Sequence, residues 1–185
     1  MKKEGVEIDK NYPELDQLIE DMFETMYEAS GVGLAAPQIN KAIRLFVIDT
    51  KQVYDKADEE SKEEFNGEEG FKKVFINPEI ISYSGLNESF NEGCLSIPDV
   101  REDVSRLSTI EIVYYNEKFE KVEEEISGLA ARIVQHEFDH IEGVLFTDKL
   151  GPLKKKLLKP KLAQIARGNI KPDDLMRFHG KTNSK

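Results

Sequence analysis

Two short motifs contain the residues of this 185-residue chain that could carry out chemistry. One is an H-E-x-x-H sequence from His136 to His140, and the other surrounds the only cysteine, Cys94. Residues four positions apart lie on one face of a helix, so both imidazoles can reach a single metal ion. Two imidazoles and a thiolate leave one position of a tetrahedral ion open, which is typical of catalytic sites. Glu137 would lie close enough to exchange a proton with a metal-bound water, so the motifs indicate metal-assisted hydrolysis.

The sequence around the histidines favours a metal site over two simpler interpretations. A lone cysteine is most often a small buried residue, and a pair of histidines is often a solvated helix face. Here Ser127 could cap the start of the helix and Gly143 could end it. One stripe of this helix is apolar apart from its imidazoles and consists of Leu129, Ile133, His136 and His140. Such a stripe faces the interior, where a metal would satisfy imidazoles that are otherwise costly to bury.

The third ligand is expected to come from elsewhere in the chain. The sequence matches the metzincin template H-E-x-x-H-x-x-G-x-x-H as far as Gly143, but Phe146 stands where the third histidine should be. The remaining histidine, His179, lies in a polar C-terminal tail and is expected to be solvated. Cys94 is therefore the best candidate, and a thiolate selects soft or borderline metals over calcium and magnesium.

Three segments, in this order, resemble the motifs of the bacterial peptide deformylases, and in particular of a Bacteroidetes-like branch of that family. They are Gly31-Val32-Gly33-Leu34-Ala35-Ala36-Pro37-Gln38, Glu92-Gly93-Cys94-Leu95-Ser96 and Gln135-His136-Glu137-Phe138-Asp139-His140. The resemblance implies a metallohydrolase that removes the formyl group from the N-terminal formyl-methionine of nascent polypeptides and releases formate. In this family the metal is ferrous iron (Fe2+), for which Zn2+, Ni2+ or Co2+ can substitute.

The resemblance also implies the catalytic roles. It assigns the metal to three ligands, Cys94, His136 and His140. Glu137 resembles the general base that takes a proton from metal-bound water and later delivers it to the leaving amine. The side-chain amide of Gln38 and the backbone N–H of Leu95 would face the formyl oxygen and stabilise the negative charge that develops on it.

A further set of positions matches the family's substrate-binding residues: Val32, Gly33, Phe90, Gly93, Arg101, Leu129, Arg132 and Ile133. The two glycines would hold the substrate's main chain, because a missing side chain permits close approach. The apolar members would line a pocket for the methionine side chain, although ordinary core packing is the alternative for each. Arg132 is expected at the pocket margin with its head in water, and Arg101 is expected further along the peptide or simply solvated.

Hydrophobic patterning predicts the elements that would position these residues. A helix opened by Pro13 should run through Met26, with Gly31 serving either as its C-cap or in function. Strands are predicted at Ala42–Thr50, Val74–Ser84 (interrupted at Pro78), Thr109–Tyr115 and, after a turn at 116–118, Phe119–Ile126. In the third of these, Ile110, Ile112 and Tyr114 should share one face. The pattern predicts one α+β domain over residues 1–185, with mostly antiparallel strands around the central H-E-x-x-H helix and an additional C-terminal helix.

Charge is unevenly distributed along the chain. Residues 149–185 carry 11 Lys or Arg and 2 Asp or Glu, whereas the whole chain has a net charge of −10. This basic segment includes a predicted helix over Pro152–Arg167, and we hypothesise that residues 152–185 contact ribosomal RNA. A solvated helix that balances an acidic body is the alternative. The acidic stretch Lys51–Lys72 should be a surface insertion or loop.

The sequence contains no apparent signal peptide or transmembrane run, and one cysteine cannot form an internal disulfide. We therefore expect a cytoplasmic monomer without membrane contact, where a reducing environment protects the thiolate.

One departure from the family concerns the N-terminus. Family members usually begin with a strand and a Gly-Asp-Pro-like segment, and about a dozen of those residues have no counterpart before Pro13. An incomplete sheet and an inactive deformylase relative are therefore alternatives to an active enzyme. A non-catalytic metal-binding protein would need a fourth ligand, and a general metallopeptidase would need the missing downstream histidine.

Overall fold

Five strands and five α-helices make up the α+β fold of the computed structural model, which describes residues 3–63 and 69–169. The strands are β1 (Gly33–Ala35), β2 (Leu45–Asp49), β3 (Lys72–Cys94), β4 (Ile97–Tyr115) and β5 (Lys121–Ser127). The helices are α1 (Leu15–Glu28), α2 (Lys51–Tyr54), α3 (Glu59–Lys62), α4 (Gly128–Ile141) and α5 (Pro152–Ala166), with short 3-10 turns at Ala36–Ile39 and Phe146–Lys149. The strands form one antiparallel sheet in the order β1-β2-β3-β4-β5, which confirms the predicted fold class.

The chain divides into two compact units. The first consists of Met1–Glu88 and Ser105–Leu145. Its core is aromatic at the centre, because the ring of Phe75 lies 4.7 Å from that of Phe46 and 4.3 Å from that of Tyr114. The predicted face of β4 is confirmed, since Ile110, Ile112 and Tyr114 are all buried there. Helix α4 packs onto this core with small and branched side chains, namely Ala130, Ala131, Val134 and Ile141.

The second unit consists of Ser89–Val104 and Phe146–Lys185. Helix α5 confirms the helix predicted at Pro152–Arg167 to within one residue. Two of its lysines hold the start of β4: Lys154 pairs with Glu102 at 2.6 Å, and Lys161 donates a hydrogen bond to the backbone oxygen of Asp99. Residues 170–185, which include His179, lie outside the described residues.

The N-terminal segment pairs with the chain just before β2. Val6 forms a parallel bridge to Ile43, and the N–H of Gly5 donates to the carbonyl of Ile141 at the end of α4, at 2.7 Å. A side chain at position 5 would not fit, because its Cβ would lie 2.7 Å from the Ile43 backbone. This short segment therefore joins the edge of β2 to the H-E-x-x-H helix.

The structure contradicts two local expectations: a C-cap at Gly31, which was one of its two alternatives, and a strand interrupted at Pro78. Helix α1 ends in a Schellman turn in which Ser30, with a φ of 54°, occupies the left-handed position predicted for Gly31. The Gly31 N–H instead closes the turn on the Met26 carbonyl at 2.8 Å. Strand β3 is not interrupted at Pro78, and the proline lies two residues beyond the end of the ladder with β2 at Ile76, so it removes no hydrogen bond from that ladder.

The described part of the acidic stretch contains helices where a surface insertion or loop was predicted. These are the short helices α2 and α3, and Asp58 caps α3 by accepting the Ser61 N–H at 2.9 Å. Residues 64–68 of the stretch lie outside the described residues. None of the helices in the described part of the chain has the length and apolarity needed to cross a bilayer.

Replacing Ile112 with alanine tests the packing of α4 against the sheet. Ile112 is fully buried in the core cluster, so the cavity should lower the free energy of unfolding by about 2–5 kcal/mol. The matched control is Ile81→Ala, at a strand position that is 52% exposed, which should cost no more than about 1 kcal/mol. Urea unfolding followed by circular dichroism measures both values, and equal losses would contradict the assigned core.

Candidate metal centre

Helix α4 presents both imidazoles and the carboxylate of the H-E-x-x-H motif. Its 14 residues begin after Ser127, and Gly143 follows its end with a φ of 69°, so both predicted boundaries are confirmed. The Ser127 side chain makes no capping hydrogen bond. The ring centroids of His136 and His140 lie 5.1 Å apart, with an interplanar angle of 82°. The spacing of four residues therefore brings the two imidazoles close together, as two ligands of one ion require.

His140 is held in the form that binds metals. Its side chain is 1% exposed, and burial, followed by the charges of His136 and Arg106, lowers the pKa of its imidazole to about 3. The imidazole therefore stays neutral at physiological pH and keeps a lone pair for a metal. Glu137 on the same helix is 4% exposed, so a carboxylate lies in a largely dry environment beside this imidazole.

Polar contacts from α4 to β4 set the rotation of the helix. The Gln135 amide donates to the Leu107 carbonyl at 2.9 Å, and the Arg106 guanidinium pairs with the Asp139 carboxylate at 2.8 Å. Gln135 and Asp139 each immediately precede a histidine of the motif, one helical turn apart. Sequence reasoning missed this pair of anchors, although two polar residues at i and i+4 on a largely buried helix are a usable signal.

The glycine strand β1 approaches the Glu137 carboxylate closely. A Cβ added to Gly33 would meet the Glu137 Oε1 at 2.6 Å and its Cγ at 2.7 Å. Only glycine fits here without moving the carboxylate. The contact with Glu137 is therefore a structural reason for the glycine at position 33. The Gly31–Gln38 segment and the H-E-x-x-H motif are about a hundred residues apart in sequence, and they meet at Gly33 and Glu137.

Gln38 is oriented by its own 3-10 turn. Its side-chain oxygen accepts the Ala35 N–H at 2.7 Å. Because only the oxygen of a carboxamide can accept a hydrogen bond, this bond fixes the positions of the carboxamide oxygen and nitrogen. The NH2 group is thus set as a donor directed away from Ala35. This contact gives a physical reason for the glutamine that the sequence alone could not supply.

Cys94 ends β3, and Leu95 and Ser96 form the turn into β4. The preceding Gly93 is covered by Arg101, whose Nη1 would lie 2.8 Å from an added Cβ. Arg101 in turn donates to the side-chain and backbone oxygens of Asn91, at 2.9 and 2.7 Å. The structure therefore brings together two residues, Gly93 and Arg101, that were predicted separately to bind substrate.

Among the described residues, Cys94, His136 and His140 form a group that could hold a metal ion. Each offers one ligand atom, and the three atoms lie within 4.8 Å of one another. Two imidazoles, of which that of His140 is held neutral, and one thiol are a donor set for a borderline transition metal such as iron, zinc, nickel or cobalt. The residues present therefore fit the metal that the motifs predict.

The predicted apolar stripe of α4 is only partly buried. His140 is buried, whereas Leu129, Ile133 and His136 are half-buried, and the fully buried face of the helix lies one position away. Half-exposure suits residues that line a pocket better than residues that fill a core. Of the other predicted pocket residues, Val32 is half-buried and Phe90 is 38% exposed.

The prediction that the Arg132 head reaches water was wrong. This side chain is 8% exposed, and its guanidinium donates to the Glu88 carbonyl at 2.7 Å. The reason is that Arg132 lies on the buried face of α4 next to Ala131, where a charge must find a protein acceptor.

Comparisons with known proteins agree with this geometry. The sequence model of the family described as "Polypeptide deformylase" matches residues 1–156. A peptide deformylase of Christiangramia forsetii is 54% identical over 180 residues, which is 96% of this chain and 90% of the relative. A peptide deformylase of Flavobacterium psychrophilum is 52% identical over 178 residues, covering 96% and 91%. Among solved structures, a peptide deformylase from Legionella pneumophila superimposes with a TM-score of 0.73 at 38% identity, covering 91% of this chain and 90% of that one.

The replacement Arg106→Met tests the anchoring of α4. It leaves the Asp139 carboxylate, whose side chain is 14% exposed, without this cation, so the free energy of unfolding should fall by about 3–5 kcal/mol. The comparison variant Lys51→Met removes the exposed ion pair with Asp55 and should change stability little. Guanidinium unfolding measures both, and similar small losses would show that the Arg106 pair does not anchor the helix.

Proposed function

Because the chain belongs to the polypeptide deformylase family, it is a metal-dependent hydrolase that removes the N-formyl group from nascent peptides, and we propose here which of its residues do so. The observation that carries the proposal is the placement of Glu137, whose buried carboxylate lies against Gly33 on the helix that bears both histidines.

Cys94, His136 and His140 are the proposed metal ligands, with ferrous iron as the metal and Zn2+, Ni2+ or Co2+ as substitutes. The proximity of their ligand atoms and the neutral imidazole of His140 support this assignment. When bound, the ion supplies a Lewis acid that makes water more acidic and polarises the formyl carbonyl.

Glu137 is the proposed proton carrier. Its carboxylate takes a proton from the attacking water as the carbon–oxygen bond forms, and it delivers that proton to the amine nitrogen as the carbon–nitrogen bond breaks. Gly33 supports this role by letting the substrate's main chain approach the carboxylate without an intervening side chain.

Gln38 and Leu95 are the proposed donors to the formyl oxygen. The bond from the Ala35 N–H fixes the Gln38 carboxamide, so its NH2 group is preorganised and needs no rearrangement as charge develops. The backbone N–H of Leu95, in the turn after Cys94, would be the second donor. Each such donor contributes about 3 kcal/mol of transition-state stabilisation in comparable sites.

The proposed substrate site combines two glycines, an apolar pocket and an arginine. Gly33 and Gly93 would hold the peptide backbone, and Arg101, anchored on Asn91, would bind the peptide further along. The pocket for the methionine side chain would be lined by Val32, Phe90, Leu129 and Ile133. Arg132 would contribute from behind this surface, by holding the Glu88 carbonyl.

We further propose that residues 1–185 act as one monomeric catalytic domain in the cytoplasm. The family model spans most of the chain, and nascent formylated peptides are the substrates of the family. A thiolate ligand and oxidisable iron both favour a reducing compartment. Sedimentation equilibrium would test the monomer, and a mass of twice 21.1 kDa would reject it.

Changing Glu137 to glutamine tests the proton carrier. The amide keeps the size of the side chain but cannot take a proton, so formate release from a formyl-Met tripeptide should fall by at least about a hundredfold, while the iron content stays at the wild-type level. The control Glu123→Gln makes the same charge change at an exposed position of β5 and should retain activity. Retained activity in Glu137→Gln would exclude this residue as the base, and loss of iron would assign it to metal binding instead. Inactive wild-type protein, folded and iron-loaded, would favour an inactive relative.

The hypothesis of ribosome contact concerns the exposed lysines of α5. Lys154 and Lys161 contact Glu102 and Asp99, whereas Lys155, Lys156 and Lys159 are also exposed and would face ribosomal RNA. Reversing Lys155 and Lys156 to glutamate should weaken co-sedimentation with ribosomes and make it less dependent on salt.

The control for that experiment reverses Lys10 and Lys118, two lysines of the first unit, and so changes the net charge equally. Equal loss in both double variants would indicate a general charge effect. Unchanged binding of the α5 variant would favour the alternative, a solvated helix that balances an acidic body.

A further inference from the structure

Three residues behind the glycine strand form a hydrogen-bonded cluster that none of the catalytic roles explains. Tyr27 of α1 donates its hydroxyl hydrogen to Asp49 Oδ2 at 2.6 Å, and the Gln52 backbone N–H donates to Asp49 Oδ1 at 3.2 Å. We call Tyr27, Asp49 and Gln52 the Asp49 cluster. Asp49 ends β2 and is 8% exposed, so its carboxylate is a buried charge that these donors stabilise.

The Asp49 cluster holds the backbone that leads into Gly33. The Asp49 N–H donates to the Val32 carbonyl at 3.0 Å, and the Gln52 side-chain amide donates to the Gly31 carbonyl at 3.0 Å. Both carbonyls of the segment 31–32 are thus bound by donors from residues 49 and 52. Gly33 itself then pairs with Ile48 in the sheet. The segment therefore has little freedom to move relative to β2.

The Tyr27 bond persists over the whole physiological pH range. Burial and the hydrogen bond to Asp49 raise the pKa of Tyr27 to about 12, so the phenol remains protonated and continues to donate. The ring also stacks on Phe23, and the ammonium group of Lys72 lies over both rings, at 5.4 Å from the centroid of Tyr27 and 4.2 Å from that of Phe23. The stacking on Phe23 lies within α1, and the contact with Lys72 of β3 joins both rings to the sheet in addition to the hydrogen bond to Asp49.

The position of residues 31–33 matters for the reaction because Gly33 lies next to Glu137, the proposed proton carrier. Gly33 lies so close to Glu137 that an added Cβ would overlap the carboxylate at 2.6 Å. A shift of even a few tenths of an ångström in the segment would therefore change the space that a substrate backbone has beside Glu137. Misplacement on the scale of 1 Å can lower a rate by about a hundredfold.

We infer that Tyr27, Asp49 and Gln52 are positioning residues for deformylation, which fix the backbone of residues 31–33 so that Gly33 meets the substrate's main chain beside Glu137. The inference rests on the proposed roles of Gly33 and Glu137. None of the three is a catalytic residue, because Asp49 and Gln52 act through the carbonyls of Val32 and Gly31, and Tyr27 acts through Asp49.

The variant Gln52→Met tests this inference, because it removes the donor to Gly31 and keeps the length of the side chain. With iron-loaded protein purified without oxygen, KM for a formyl-Met tripeptide should rise about fivefold, with a smaller change in kcat. Bound iron should stay at the wild-type level. A purely structural role would lower the melting temperature and leave KM unchanged.

A second variant and a matched control keep the test decisive. Tyr27→Phe removes one hydroxyl from a partly exposed side chain and should raise KM in the same direction. Gln17→Met removes an exposed glutamine–carboxylate bond of α1, to Asp21, and should leave both kinetic constants at wild-type values. An unchanged KM in both Gln52→Met and Tyr27→Phe would overturn the inference, and so would an equal rise of KM in Gln17→Met. In either case, formate release by the wild-type protein would still support the proposed function. A wild type that releases no formate would overturn both.

Discussion

The attachment of α4 to the sheet is the constraint on which the rest of this structure depends. The helix must lie in the core, because its packing face is apolar, and must also present two imidazoles and a carboxylate to a reaction. Apolar packing through small side chains such as Ala130 and Ala131 is non-directional, so it leaves the rotation of the helix less sharply specified than polar contacts do. The Arg106–Asp139 ion pair and the hydrogen bond from Gln135 to the Leu107 carbonyl specify that rotation. A buried ion pair adds little net stability, but it is sensitive to direction, which is the property that this helix needs.

The burial of α4 also affects the chemistry of the candidate metal centre. A dry environment disfavours charge, so His140 remains a neutral imidazole, while the Glu137 carboxylate lies buried on the same helix. A ligand and a base are thus obtained from neighbouring positions of one helix. Gly33 completes the arrangement, because its lack of a side chain brings backbone to within contact of the base. Exposure of the helix would remove the main cause of the lowered His140 pKa, which is a physical reason for placing the motif in the core.

The sequence predicted the parts of this protein that depend on local pattern or on motif chemistry. The α4 boundaries, the buried face of β4 and the α5 helix followed from periodicity and from Ser127 and Gly143, and the comparisons confirmed the family that the three motifs had suggested. What failed depended on tertiary contacts. Whether Ser30 or Gly31 takes the left-handed position is decided by where α1 ends, and the burial of Arg132 is decided by an acceptor 44 residues away. The anchors of α4 and the cluster behind β1 were likewise invisible, because each joins elements whose pairing the sequence does not specify.

The most direct test of the account is X-ray absorption at the metal edge, recorded on anaerobically purified, iron-loaded protein and on the variant Cys94→Ser. The account predicts sulfur scattering together with imidazole nitrogen in the wild-type spectrum, and the loss of the sulfur contribution in the variant. A wild-type metal shell of nitrogen and oxygen alone, or sulfur that persists in Cys94→Ser, would show that Cys94 does not join His136 and His140 as a ligand.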